Sequence, residues 1–427
     1  MNNKRVYKCD VSYHSRFLAL RKDMDPEEER EKKRVTLADD PSNKAMVQKD
    51  LHLLPPEILL EILSRLPITS LIHFKTTSHT GYDLIADPRL PPMFRNRVSD
   101  SNPCLILFNY NFPDFRPRLH FVDDEGSSRR VRKIDPPQHS EVDNLVGSCN
   151  GLLCLSLIGG SSESHGLLIY NPFVGDAVRV PPARRFFCQK GFFGFGFHPR
   201  TGEFKVVGVA YNPLNAVESM VQVFTIGTTE WRNKGALPPQ FADGIGPPEA
   251  LVEGSLHWVT DVGMGEVGPP LLGIITAVFG IISFDLADEV FEEIPHPPCQ
   301  QLVSSRYSLS VLNGCLSAAE LLDTSHFDIW VMKQYRVKES WVKQFSFDPH
   351  FADGWPSDIK IFSKLICALK NGEILFLLEY NHCSLVSYDP VENRFKTLEM
   401  SGLPNQFRAL PFLPSLFSAK ATMNLQF

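Results

Sequence analysis

Six aromatic residues, each near the end of a short apolar run, recur along the chain at nearly even intervals. They are Phe121, Tyr170, Phe224, Phe284, Trp330 and Tyr388, separated by 49, 54, 60, 46 and 58 residues. Their runs read LHFVDD, LLIYNP, VQVFTI, IISFDL, FDIWVM and LVSYDP. A turn followed by a strand precedes most of them: Asn150-Gly151, Thr201-Gly202, Glu253-Gly254, Asn313-Gly314 and Asn371-Gly372. Such turns need positive φ, which glycine supplies, and they join strands as hairpins. A further short strand follows in most copies, as in DEVFEEIP and ENRFKTLEM. Units of several strands repeating every ~40 to 60 residues are the signature of propeller blades. One small sheet cannot bury both of its faces, so neighbours must stack into a closed ring. The spacing therefore predicts a mainly β fold of about six blades, with an indistinct first blade. An irregular β-sandwich is the alternative. The repeated aromatics are expected to be blade-to-blade core, not ligand contacts.

One stretch, Leu51 to Arg97, breaks this pattern. Pro55 and Pro56 suit the first turn of a helix, where a missing amide hydrogen has no partner to lose. Ile58, Leu59, Ile62, Leu63 and Leu66 then recur at helical spacing, predicting one broad apolar face. Pro67 ends that helix. Thr69 or Ser70 is expected to cap a second, carrying Leu71, Ile72 and Phe74. A weaker third holds Leu84 and Ile85 before Asp87-Pro88. About forty residues cannot enclose that much apolar surface alone, so the face must meet the rest of the chain or a partner.

The order LPPEILLEILSRLP, SLIHFK, LIADPRL resembles the F-box of large plant adapter families. The resemblance implies a docking module for the Skp-type adaptor of a cullin–RING ubiquitin ligase. It places Leu54, Pro55, Ile58, Leu63, Leu66, Pro67, Leu71 and Phe74 where they contact that adaptor or hold the helices together. The chain departs from the family after Lys75. Thr76 to Gly81 replace a pattern that ordinarily holds two cysteines, a lysine and a tryptophan, with Gly81 at the tryptophan position and Tyr82 beside it. That departure bears on affinity. Downstream, GSCNGLLCLS, LLIYNPFVGDAVRVPP, FGFGFHPRTGEFKVVGV and IISFDLADEVFEEIP resemble the F-box-associated, kelch-like interaction domain, which is taken to recruit the protein to be ubiquitinated. The expected layout is a charged, disordered tail at 1–48, the F-box at 49–97 and a linker with a poorly defined first blade at 98–143. The propeller then occupies 144–400, with a closing segment or tail at 401–427. A Pro- and Arg-rich stretch from Asp87 to Pro103 is expected to join the two parts, and a ring with its own core is expected to leave the helices free to dock.

Composition agrees with a soluble protein: 427 residues, 43% hydrophobic and 22% charged. A net charge of −6 argues against a general nucleic-acid surface. Nine scattered cysteines without a CxxC pair suit reduced thiols in the cytoplasm or nucleus. The N-terminus lacks the apolar core of a signal peptide. The greasiest run, Leu271 to Ile282, is too short to span a bilayer and reads as two buried strands joined at Thr276.

Little here reads as catalytic. Gly194-Phe195-Gly196-Phe197 lacks the third glycine and the helix of a dinucleotide site. Cys149, Cys154 and His165 have no usual metal spacing, and buried thiols are expected instead. His198, His257 and His296 lack a visible carboxylate partner, while Asp285, Asp348 and Asp389 suit turn hydrogen bonds. No cofactor or metal is expected. The resemblance thus implies a non-catalytic substrate-recognition adapter. The alternatives are a protein- or glycan-binding propeller with a decayed F-box and, third, an oxidase on a similar ring.

Overall fold

In a computed structural model of the chain, the described residues are 54–424 except 78, 99–101, 112–115, 126–127, 138–141, 158–165, 184–189, 213–214, 239–246, 267–274, 299–306, 323–325, 348–362 and 380–381. The expected tail, His165 and Asp348 lie outside them.

Four short helices come first: α1 (Pro56–Leu63), α2 (Ile68–Thr77), α3 (His79–Ile85) and α4 (Leu90–Val98). Helix α2 starts directly after Pro67, whose carbonyl accepts from the Leu71 amide at 3.1 Å, so neither Thr69 nor Ser70 caps it. Much of the expected join, Asp87 to Pro103, is helix α4. Its first turn contains Pro91 and Pro92, which tolerate the start of a helix for the same reason as Pro55-Pro56. Asp87 organises the turn before it, accepting from the Arg89 amide at 2.9 Å.

The rest is six four-stranded antiparallel sheets. The first contains β1 (Cys104–Asn111), β2 (Arg116–Glu125) and β3 (Ser128–Ile134); the second, β4 (Val142–Cys149), β5 (Leu152–Leu157), β6 (Gly166–Asn171) and β7 (Asp176–Val180). The third has β8 (Lys190–His198), β9 (Glu203–Asn212), β10 (Asn215–Thr225) and β11 (Arg232–Gly235). The fourth has β12 (Ala250–Val252), β13 (Ser255–Glu266), β14 (Ile275–Asp285) and β15 (Phe291–Ile294). The fifth has β16 (Tyr307–Leu312), β17 (Cys315–Leu322), β18 (His326–Met332) and β19 (Trp341–Phe347). The sixth has β20 (Ser363–Ala368), β21 (Ile374–Glu379), β22 (Cys383–Asp389) and β23 (Arg394–Thr397). The last strand, β24 (Arg408–Phe412), returns to the first sheet and pairs with β1 from Cys104↔Phe412 to Phe108↔Arg408. The first blade is thus completed by the C-terminal part of the chain, which is why its own segment reads indistinctly. Helix α5 (Ala419–Asn424) follows.

The ring is closed. Its six hydrophobic clusters each fill one boundary between neighbouring blades, including that between the sixth and the first. The six aromatic markers fall on β2, β6, β10, β14, β18 and β22, the third strand of each blade counted from the centre. All pack in these clusters, as the repeat predicts. The Asn-Gly and Glu-Gly turns have the expected positive φ: 48° and 78° at Asn150-Gly151, 49° and 74° at Glu253-Gly254. One expectation fails. β14 runs unbroken through Thr276, which pairs with Gly265, because β13 is long enough to accompany it. The described part of the apolar run, 275–282, belongs to one strand of a tall hairpin. No described helix is long and apolar enough to cross a membrane.

Candidate docking face

Helix α1 carries two apolar rows that the sequence merges into one. Leu59, Leu60 and Leu63 turn inward and are buried. Leu54, Ile58 and Ile62, spaced by four residues, stack in a second row. They are 43%, 48% and 46% exposed. Pro55 starts the helix by accepting from the amides of Ile58 and Leu59 at 3.0 and 3.2 Å. Charged pairs flank the exposed row: Glu61 with Arg65 at 2.6 Å, and Glu57 with Arg89 at 3.4 Å. Tyr82 on α3 adds a fourth large apolar group, 54% exposed, with the Lys75 ammonium 5.5 Å from its ring centre. An isolated exposed leucine means nothing, but a row of three makes this face a candidate contact surface.

The inward row sits in a cluster continuous with the ring. Leu60, Leu63, Ile68, Leu71, Ile85, Leu90 and Phe94 share it with Phe108, Phe121, Leu153, Phe173 and Phe412. The helices are therefore packed on the propeller, not free of it, and among the described large apolar residues of the module the outer row and Tyr82 stay exposed. Of the eight residues expected at the docking site, Leu54, Pro55, Ile58 and Pro67 are exposed. Leu66 and Phe74 are half-buried against the shared cluster, while Leu63 and Leu71 are buried within it. Ile62 and Tyr82, outside that set, are exposed as well. The four-residue row starting at Leu54 carried the signal for Ile62. Gly81 is buried, and Tyr82 beside it lies on the surface.

Blade topology fixes where this module stands. The chain enters β1 and leaves β24 at the side of the ring that carries each blade's 1–2 and 3–4 turns. Lys75 accordingly reaches the Val174 carbonyl, in the β6–β7 turn, at 3.5 Å. Turns on this side are two to eight residues long, whereas blade-to-blade connections on the other side are seven to 15. The β13–β14 hairpin also rises on that other side. It stays paired out to Glu266↔Ile275, whereas β5–β6 pairs only to Leu157↔Gly166.

The remaining candidates have structural roles. Burial pushes the Cys149 thiol up to about 12 and the Cys154 thiol higher, so neither is a ready ligand or nucleophile. No metal-binding group of His, Cys, Asp or Glu occurs among the described residues. His198 accepts from the amides of Arg200 and Thr201 at 3.2 and 3.3 Å. Asp285 and Asp389 each accept two amides of their own turns, as their positions suggest. His296 pairs with the Pro297 carbonyl at 2.8 Å. His257 is fully buried, with Nε2 2.8 Å from the Tyr335 hydroxyl, and burial lowers its pKa to about 4.

Fold and site define a class: a six-bladed propeller carrying a helical docking module on one side. Two family descriptions match, an F-box domain at residues 51–92 and an F-box associated beta propeller domain at 119–423. Among curated relatives, Arabidopsis thaliana F-box protein At3g07870 is 34% identical over 84% of this chain and 90% of its own length. F-box protein CPR1 of the same plant is 26% identical over 85% and 88%. The chain belongs to the plant F-box proteins with an F-box associated β-propeller domain.

Proposed function

We propose that this protein is the substrate-recognition adapter of an SCF-type ubiquitin ligase, acting in the cytoplasm or nucleus. F-box domains generally bind Skp-type adaptors, and the exposed row Leu54–Ile58–Ile62 is the observation that carries the proposal. It is apolar, flanked by charges and left uncovered by the ring that buries its neighbour row. Such an adapter needs no catalytic group. It raises the local concentration of a target beside a ubiquitin-loaded enzyme, so its contribution is effective molarity. The long-connection side of the ring, with the β13–β14 hairpin, is the recognition side, since long loops on a rigid scaffold are where binding specificity resides.

Co-purification with a recombinant Skp-type adaptor tests this. Wild type is expected to capture it. Ile58→Asp or Ile62→Asp should lower capture by about 100-fold or more, because a carboxylate cannot be buried unpaired in an apolar contact. Thermal stability should barely change, since both positions face solvent in the free protein. Leu63→Asp does not discriminate, because Leu63 belongs to the internal core. Well-folded wild type that captures no adaptor would sink the proposal.

A further inference from the structure

The ring is closed by β24, yet the chain continues for a purpose that closure does not explain. Residues 413–424 leave the first blade and cross the second on the side that carries the helices. Asn171, at the end of β6, donates from Nδ2 to the carbonyls of Ser415 at 3.0 Å and Phe417 at 2.7 Å. Asp176, at the start of β7, accepts from the Ala419 amide at 3.0 Å, the Lys420 amide at 3.3 Å and the Ser418 hydroxyl. Gly151 lies so close that an added Cβ would fall 2.1 Å from Ser415 Oγ. Leu416 enters the cluster shared by the helices and the first two blades, and Ala419 enters the next cluster round the ring. From the other side, the Arg95 guanidinium of α4 stands over the Phe417 ring at 5.8 Å.

One short segment therefore touches the helical module, the first blade boundary and the second. We propose that residues 413–424 are the positioning element of the adapter, fixing the angle between docking helices and ring. The shared core holds the helices against the ring; the strap, tied to α4 at Phe417 and to the second blade at Asn171 and Asp176, fixes the angle at which they sit. This rests on the adapter function, since a fixed angle matters where one part holds the ligase and the other the target. Asn171, Asp176 and Phe417 are its positioning residues. They lie away from the Leu54–Ile58–Ile62 row and from the long-connection side.

The full-length protein and a form ending at Phe412, which retains β24, are compared by hydrogen exchange, small-angle scattering and capture of a recombinant Skp-type adaptor. Loss of the strap should speed exchange in α4 by about tenfold or more, as local opening free energy falls with the lost hydrogen bonds. It should also lengthen the maximum dimension while leaving the protected amides of β5, β9 and β21 unchanged and adaptor capture within about twofold. If the truncated ring itself loses protection, the pair Arg95→Ala with Phe417→Ala decides, with Phe417→Tyr as the rescue that restores a ring beneath Arg95. Unchanged α4 exchange in whichever of these forms keeps its ring intact overturns the proposal. Failure of wild type to capture the adaptor overturns the ligase function instead, and leaves the exchange result standing.

Discussion

Single residues differ in how far the sequence announces them. Leu60 and Ile62 lie two positions apart on one helix, yet one is 1% and the other 46% exposed. Periodicity marks both as apolar, but only packing against the ring decides which turns inward, so the split was not legible beforehand. His257 is a sharper case. Its strand is readable, but its neighbour Tyr335 lies 78 residues away on the next blade. Burial holds its folded pKa near 4, below the ordinary 6.5, with the Arg336 guanidinium of the same turn also disfavouring the cation. Between those values the unfolded chain binds a proton that the folded one refuses, so stability falls as pH drops from about 6.5 toward 4. At pH 5 the loss from this residue is about 2 kcal/mol relative to pH 7. His257→Gln should flatten that part of the profile, as read from urea midpoints at pH 7.5, 6 and 5.

At the level of elements, strands and turns were the most legible feature, because positive-φ glycines and one aromatic per blade follow from local chemistry. The polar contacts between blades were not. The β14–β15 turn places Glu289, at φ 58°, between the third and fourth blades. Its carboxylate meets the Lys205 ammonium at 2.9 Å, the Lys234 ammonium at 3.0 Å and the Arg232 guanidinium. Lys205 also donates to the Leu286 carbonyl at 2.6 Å. The Lys205 and Glu289 side chains are only 4% and 8% exposed, so neither charge has water to fall back on. Glu289→Ala leaves the buried Lys205 ammonium with the partly exposed Glu203 carboxylate, 3.2 Å away, as its remaining counter-charge, and is expected to cost about 1–3 kcal/mol. Pairing it with Lys205→Met should recover part of that loss, and denaturant titration of the three variants reads the difference. The hairpin β13–β14 was misjudged for a related reason. An unbroken apolar strand and two short ones look alike until the partner strand is seen to be just as long.

For the whole molecule, the six-bladed ring and the helical module were both visible from repeats and motifs, but their union was not. An apolar cluster that includes Leu71, Phe94, Phe121 and Phe412 makes the helices and the first two blades one cooperative body. Leu71→Ala, at a fully buried position, should destabilise by about 2–5 kcal/mol. Because the core is shared, calorimetry should show one transition moving down in temperature, not a separate early melting of the helices.

The pairing of β1 with β24 also has a consequence for synthesis. β1 begins at Cys104, and its central-side neighbour ends at Phe412. Until that last strand leaves the ribosome, one edge of β1 stands open and the ring is a broken arc. Closing it joins segments some three hundred residues apart, a contact of the kind that folds slowly. A nascent or prematurely terminated chain therefore displays an unpaired strand edge for most of its synthesis, the state most prone to aggregation and to capture by chaperones.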